Sequence, residues 1–114
     1  MVAAPLAPLI ERLIAELGLS RAELATALDA SERSVARWKR GENYPQYEAR
    51  ARLEEMTALA DRLHASFPET AGGAAWLRVP SEYFGGLAPV DAFLRGRFAA
   101  VESALDAFDA ERST

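Results

Sequence analysis

The sequence predicts an all-α fold, a helical bundle over residues 1–67 followed by a small helical module over residues 68–114. Three observations predict it. Alanine supplies 24 of the 114 residues while Val, Ile and Thr are few; alanine is the best helix former and strands favour β-branched residues. Apolar residues recur at helical spacing in several separate windows. Capping and stop residues bracket those windows. Half of the residues are hydrophobic, enough for a core and too many for a disordered chain.

The elements follow in order. Leu6, Leu9, Ile10, Leu13, Ile14 and Leu17 form the first helical stripe, after the early prolines Pro5 and Pro8. Gly18 ends that helix as a left-handed residue, and Leu19 folds back onto it. Ser20-Arg21-Ala22-Glu23 reads as a capping box that opens a short second helix with Leu24, Ala25 and Leu28 inward. Asp29-Ala30 makes a tight turn, because Asp tolerates left-handed φ. Ser31 caps a third helix from Glu32 to about Arg40, Gly41 stops it, and Asn43-Tyr44-Pro45 forms a loop. The fourth helix runs from Gln46 to Ser66, with a heptad-like seam of Leu53, Met56, Ala60, Leu63 and Phe67. That seam suits either an intramolecular core or a dimer contact.

Pro68 to Ala74, with Gly72-Gly73, reads as the boundary between the two regions. Beyond it come Trp76-Leu77, a Pro80-Ser81 turn, a short helical piece around Tyr83-Phe84, and Gly85-Gly86. Ala88-Pro89-Val90-Asp91 starts a helix to about Leu94, and Gly96 breaks it. Phe98, Val101, Leu105 and Phe108 mark a final helix, and Glu111 to Thr114 reads as a polar tail.

Several function classes are excluded. The chain has no cysteine, so disulfide scaffolds and thiolate metal sites fall away. His64 is the single histidine and reads as a helical surface residue. No carboxylate pair, Ser-His-Asp order, glycine-rich phosphate loop or zinc motif appears, so no catalytic residue, metal or cofactor is expected. No apolar run reaches the length of about 18 residues that a membrane span requires. The N-terminal residues lack the basic region of a signal peptide, and a cytoplasmic location is expected.

The formal net charge of −4 argues against a general nucleic-acid coat. It is unevenly spread. Segment 31–41 carries Arg33, Arg37, Lys39 and Arg40 against Glu32, a local +3. Within the third helix, Val35 and Trp38 point inward and Arg33, Arg37 and Arg40 line the other face. Two short helices joined by a tight turn, the second with an apolar docking stripe and long donors outward, form a helix-turn-helix. A solvated arginine face would give the same charge run, but here caps, turn and terminator coincide in one window. The candidate DNA contacts are Ser20, Arg21, Glu32, Arg33, Ser34, Arg37 and Arg40. A dimer would engage operator half-sites about 34 Å apart.

This stretch resembles the Xre/phage-repressor class of helix-turn-helix domains. Leu24-Ala25, Leu28 with Asp29-Ala30-Ser31, Ser34-Val35, Arg37-Trp38, Gly41 and Pro45 carry the likeness. Asp29 stands where the class often has glycine, and Arg21 where glutamine is common. The string Trp76-Leu77, Pro80, Phe84-Gly85-Gly86-Leu87, Pro89-Val90-Asp91, Gly96 and Val101 resembles the C-terminal domain of Xre/MbcA/ParS-type antitoxins. Ser81 stands where that family often has Asn. Together the two likenesses span most of the chain. They imply an antitoxin of a type II RES-Xre toxin–antitoxin system. Such proteins neutralise a co-encoded RES-domain toxin that degrades NAD. Their C-terminal region covers the toxin's active-site entrance, and their headpiece represses the shared operon by binding operator DNA. A homodimer within a larger toxin–antitoxin complex is also implied.

The residues themselves agree in type, since phenylalanines gather at or beyond residue 67 beside Trp76 and Tyr83, a composition that suits a core plus an interface. Trp76, Phe84 and Phe98 are expected in the core. Candidate toxin contacts, expected to be exposed, are Tyr83, Arg95, Arg97, Phe108, Asp109 and Arg112. The alternative is a stand-alone transcriptional repressor whose C-terminal module dimerises or senses a ligand.

Overall fold

The computed structural model describes residues 6–113. Among them are seven α-helices, one 3-10 turn and no strand. The helices are α1 (Ala7–Leu17), α2 (Arg21–Ala27), α3 (Glu32–Arg40), α4 (Tyr47–Ser66), α5 (Thr70–Arg78), α6 (Pro89–Leu94) and α7 (Phe98–Arg112), with the turn at Glu82–Phe84. The expected order of elements is therefore present, and local chemistry explains most boundaries. Pro8 falls in the first turn of α1, where its missing N–H costs nothing. Gly18 ends the helix at φ 63°, a conformation that strains any residue carrying a Cβ. The Leu19 amide then donates to the Ile14 carbonyl at 3.0 Å, and Leu19 is buried. Pro5 lies outside the described residues.

Two expectations change. The expected boundary at Pro68–Ala74 is crossed by α5, which runs straight through Gly72-Gly73. Glycine read as punctuation serves here as a packing device. A Cβ on Gly73 would lie 2.8 Å from Leu63 Cγ, and the Cβ of Ala74 already fills the space beside Gly18. Small residues thus let α5 approach both α1 and α4 closely. The second change is at the end of the chain, where α7 continues to Arg112 and absorbs Glu111 and Arg112 of the expected polar tail. Thr114 lies outside the described residues.

One contiguous core results. It begins at Ile10, Leu13 and Leu17 of α1, takes in Leu24, Leu28, Val35 and Trp38, and continues through Phe93, Phe98, Val101 and Leu105. α1 contacts α3, α4 and α5; α6 contacts α2 and α5; α7 contacts α4 and α6. The α4 seam is consumed inside this core, with Leu53, Met56, Ala60 and Leu63 all buried. Of the three aromatics expected in the core, Phe98 is buried, whereas Trp76 and Phe84 are half-buried.

Candidate nucleic-acid and partner-binding surfaces

The helix-turn-helix is held by two serine caps. Ser20 Oγ accepts from the Glu23 amide at 3.0 Å, and Glu23 Oε1 accepts from the Ser20 amide at 2.9 Å, completing the capping box. Ser31 Oγ accepts from the Ser34 amide at 3.0 Å and starts α3. Asp29 adopts φ 55°, the one left-handed non-glycine among the described residues. Val35 and Trp38 dock α3 on the core. The Leu6 amide donates to the Trp38 carbonyl at 3.1 Å, tying the start of α1 to the end of α3.

Docking fixes which cations remain available. Arg21, Arg33 and Arg37 are exposed and form no ion pair among the described residues. Lys39 lies 3.6 Å from Glu11, and Arg40 pairs with Glu42 at 2.9 Å. That pairing holds the Glu42 carboxyl below its ordinary range and raises Arg40. Two of the four cations of segment 31–41 are therefore paired within the chain, by Glu11 and Glu42, both outside that window. Arg21 and Arg33 share a cleft of about 270 Å³ with Glu32, Ala36 and Lys39, floored by Ile10 and Ile14. Ser20 is exposed and Ser34 half-buried, both beside helix starts whose amides and positive dipole ends suit an anion.

The C-terminal candidates divide into two groups at opposite ends of α7. A 15-residue helix is about 22 Å long, so Arg97 at its start and Arg112 at its end cannot share one small site. Tyr83, 54% exposed, meets Phe84 edge-on at 5.2 Å. Phe84, Arg95 and Arg97 line a cleft of about 230 Å³ with Leu87 and Asp91. Both arginines are exposed and form no ion pair among the described residues.

In the second group Phe108 and Asp109 are turned toward the body of the molecule, against expectation, while Arg112 is on the surface. Phe108 is half-buried, stacked on Phe67 at 5.2 Å and 6.1 Å from Trp76. Asp109 accepts from Arg62 Nη1 at 2.8 Å and from Ser66 Oγ at 2.7 Å. The hydroxyl and guanidinium donors together hold its carboxyl below the ordinary range. Arg112 is exposed, with its guanidinium over the rings of Phe108 and Phe67 at 5.2 and 5.7 Å. Phe108 and Asp109 thus anchor α7 to α4 and α5. The periodicity of α7 had already placed Phe108 in the helical stripe, which was the available signal.

Three long-range contacts carry no sequence signal at all. Arg78 Nη2 reaches Glu23 Oε1 at 2.6 Å and the Gly18 carbonyl at 2.8 Å, clamping α5 on the α1–α2 corner. Arg62 pairs with both Asp106 and Asp109. Arg52 donates to the Ala27 carbonyl at 2.8 Å and lies against Gly96, where any Cβ would collide with its guanidinium.

Comparison with known proteins decides the kinship. Residues 2–46 match the antitoxin Xre-like helix-turn-helix domain family. Over 102 residues the chain is 33% identical to the mycobacterial cidal antitoxin MbcA of Mycobacterium tuberculosis and Mycobacterium bovis, covering 90% of this chain and 89% of that protein. The chain belongs to the MbcA antitoxin family. It is an antitoxin of a toxin–antitoxin system, built on a helix-turn-helix. A probable mycobacterial cidal antitoxin of Mycobacterium tuberculosis is 28% identical over 93 residues, 80% of this chain and 76% of its own. The fold matches a chain in the crystal structure of the M. tuberculosis MbcT–MbcA toxin–antitoxin complex, with a TM-score of 0.68 and 32% identity, covering 92% of this chain and 94% of that one.

For this MbcA-family antitoxin, the kinship extends well beyond the helix-turn-helix. The domain match stops at residue 46, whereas the alignment to MbcA takes in 90% of the chain. Among the described residues no helix is long and apolar enough to cross a membrane, and no cluster of metal-ligating side chains occurs.

Proposed function

We propose that this antitoxin binds and blocks the active site of a RES-domain, NAD-degrading toxin and represses its own operon as a homodimer on operator DNA. The observation that carries the reading is the MbcA likeness over both halves of the chain, since one such relative is described in complex with its toxin MbcT. That likeness favours an antitoxin over a stand-alone repressor. Residues 1–67 supply the DNA-binding region, and residues 68–114 supply the toxin-binding and dimerisation module. Arg33 and Arg37 reach base edges or phosphates, with Arg40 released from Glu42 on binding. Arg21, Ser20, Ser34 and Glu32 frame the helix starts. Tyr83, Arg95 and Arg97 form the exposed part of the toxin contact. Arg112 adds a cation at the far end, positioned by Phe108 and Asp109. Aromatic and arginine anchors of this kind dominate protein interfaces.

The test is co-expression with the toxin encoded in the neighbouring reading frame, following growth and cellular NAD. The antitoxin is expected to restore both, and Arg95→Glu with Arg97→Glu is expected to abolish protection while the helical circular dichroism is retained. Full protection by that double variant would sink the assignment of the contact. Deleting residues 106–114 is a poorer probe, because it also removes Phe108 from the Phe67–Trp76 cluster.

A further inference from the structure

One acid stands among the cations of α3. Glu32 is the only acidic residue of segment 31–41. It is the first residue of α3, it is exposed, and it forms no ion pair among the described residues. It lines the same cleft as Arg21, Arg33 and Ala36. At 3.6 residues per turn, Glu32, Ala36, Arg40, Arg33 and Arg37 follow one another around an arc of about 140°. Glu32 thus marks the edge of the arginine face nearest Arg21. Its neighbour on that arc, Ala36, is small and half-buried, so nothing bulky shields the carboxylate from an approaching duplex.

A carboxylate in that place works against binding. Duplex DNA carries a phosphate charge about every 1.7 Å of its axis, and an unpaired acid brought close to it is repelled. The N-terminal residues of a recognition helix contact base edges, so Glu32 is carried to where only a hydrogen-bond donor offsets that repulsion. The major groove offers two kinds of donor, cytosine N4 and adenine N6. Adenine sets its N7 acceptor beside N6, which suits an amide and opposes a carboxylate. Guanine and thymine present the acceptors O6 and O4, which repel it outright. Cytosine N4 alone donates with no acceptor beside it on the same base. Guanine N7 and O6 are in turn the acceptors that an arginine takes with two hydrogen bonds, and the unpaired Arg33 directly follows Glu32 in the chain.

We propose that Glu32 is a specificity-determining residue of the DNA face, selecting a cytosine in each operator half-site by accepting from its N4–H, with Arg33 on a neighbouring guanine. The proposal rests on the operator-binding reading above and names the base that reading leaves open. Glu32 acts by exclusion as much as by attraction. Its charge weakens binding to every sequence that lacks the donor, which is how a site rejects competitors. An acid in the first turn also favours the helix dipole, but that effect bears on the stability of α3 and is blind to the bases.

The experiment selects binding sites for the full chain from a pool of randomised duplex DNA at one fixed salt concentration, then measures affinities for single-base variants of the selected site by fluorescence anisotropy. The wild type is expected to retain a cytosine at one position of each half-site. Replacing that C·G pair by T·A is expected to weaken binding about 5- to 150-fold. Glu32→Gln is expected to move the preference at that position from cytosine to adenine, because an amide both accepts from N6 and donates to N7. Glu32→Ala is expected to lose the preference there and to bind unrelated DNA more tightly than the wild type. Circular dichroism melts of both variants check that α3 still forms. Base preferences that coincide in the wild type and both variants would overturn the proposal and leave Glu32 with its helix-start role. A wild type that selects no sequence would overturn the operator reading itself, so the two failures are distinguishable.

Discussion

The arginines of α3 and those of the α4–α7 and α2–α5 contacts have the same chemistry and opposite surroundings. Arg33 and Arg37 project from α3 and form no salt bridge among the described residues, although Glu42 is close enough to feel the charge of Arg37. Arg62 is held by Asp106, Asp109 and Ser66, and Arg78 is held by Glu23 and the Gly18 carbonyl. A cation already paired within the chain has little left to offer a phosphate or a toxin carboxylate. An unpaired one on a rigid helix meets a partner without first breaking a bond. Availability, more than the number of arginines, separates a binding face from a structural one. Arg95 and Arg97, exposed and without an ion pair among the described residues, share the surroundings of Arg33 and Arg37.

The largest expected effect tests the available face. Replacing Arg33 and Arg37 by alanine should cost about 1–3 kcal/mol of operator affinity each, the usual scale for a good base contact. Both side chains are exposed, so thermal unfolding should move little. Fluorescence anisotropy on operator DNA and a circular dichroism melt check the two halves of the statement. Unchanged affinity in the double variant would place α3 among the merely solvated faces.

Sequence reasoning reached the N-terminal half almost element by element because its signals are local. A serine three residues before a glutamate, an Asp at a turn and a glycine after a cationic last turn each act within a few positions. The same reasoning failed at Gly72-Gly73. The property that matters there is the distance to Leu63 and Phe67, which only the packed structure defines. It also failed at Asp109, whose partners Arg62 and Ser66 lie 43 or more positions away. Of the candidate contacts, Tyr83, Arg95 and Arg97 were expected on the surface and are found there. Phe108 already stood in the apolar stripe of α7, whereas no local signal separated Asp109 from them, because its partners lie on α4.

Packing at the α4–α5 contact gives the next effect in size, and adjacent glycines make it a controlled comparison. Gly73→Ala places a methyl 2.8 Å from Leu63 Cγ, inside the core. Overpacking costs about 1–3 kcal/mol, which outweighs the gain of about 1 kcal/mol in helix propensity. A lower melting temperature is expected. Gly72→Ala meets Phe67 at an ordinary 3.4 Å, so propensity should prevail and the variant should be more stable by up to about 1 kcal/mol. Equal melting shifts would mean that α5 does not approach α4 this closely.

The smallest effect lies in the Glu23–Arg78 clamp, and it carries a pH signature. Arg78, and secondarily the Ser20 amide, hold the Glu23 carboxyl at about 2, down from an ordinary 4.5, against the opposing effect of burial. A depressed carboxyl stabilises the fold above its unfolded value, and that stabilisation is lost as pH falls through the folded one. The contribution is therefore complete above about 4.5 and disappears toward 2. Because Arg78 is partly solvated, the pair is worth about 1 kcal/mol or less. Glu23→Gln keeps a side chain able to accept from the Ser20 amide and removes only the charge. Urea unfolding should show the variant weaker than the wild type at neutral pH and equal to it near pH 2. A difference that persists unchanged at acid pH would mean that Glu23 acts through its cap, with the link from α2 to α5 carried by packing alone.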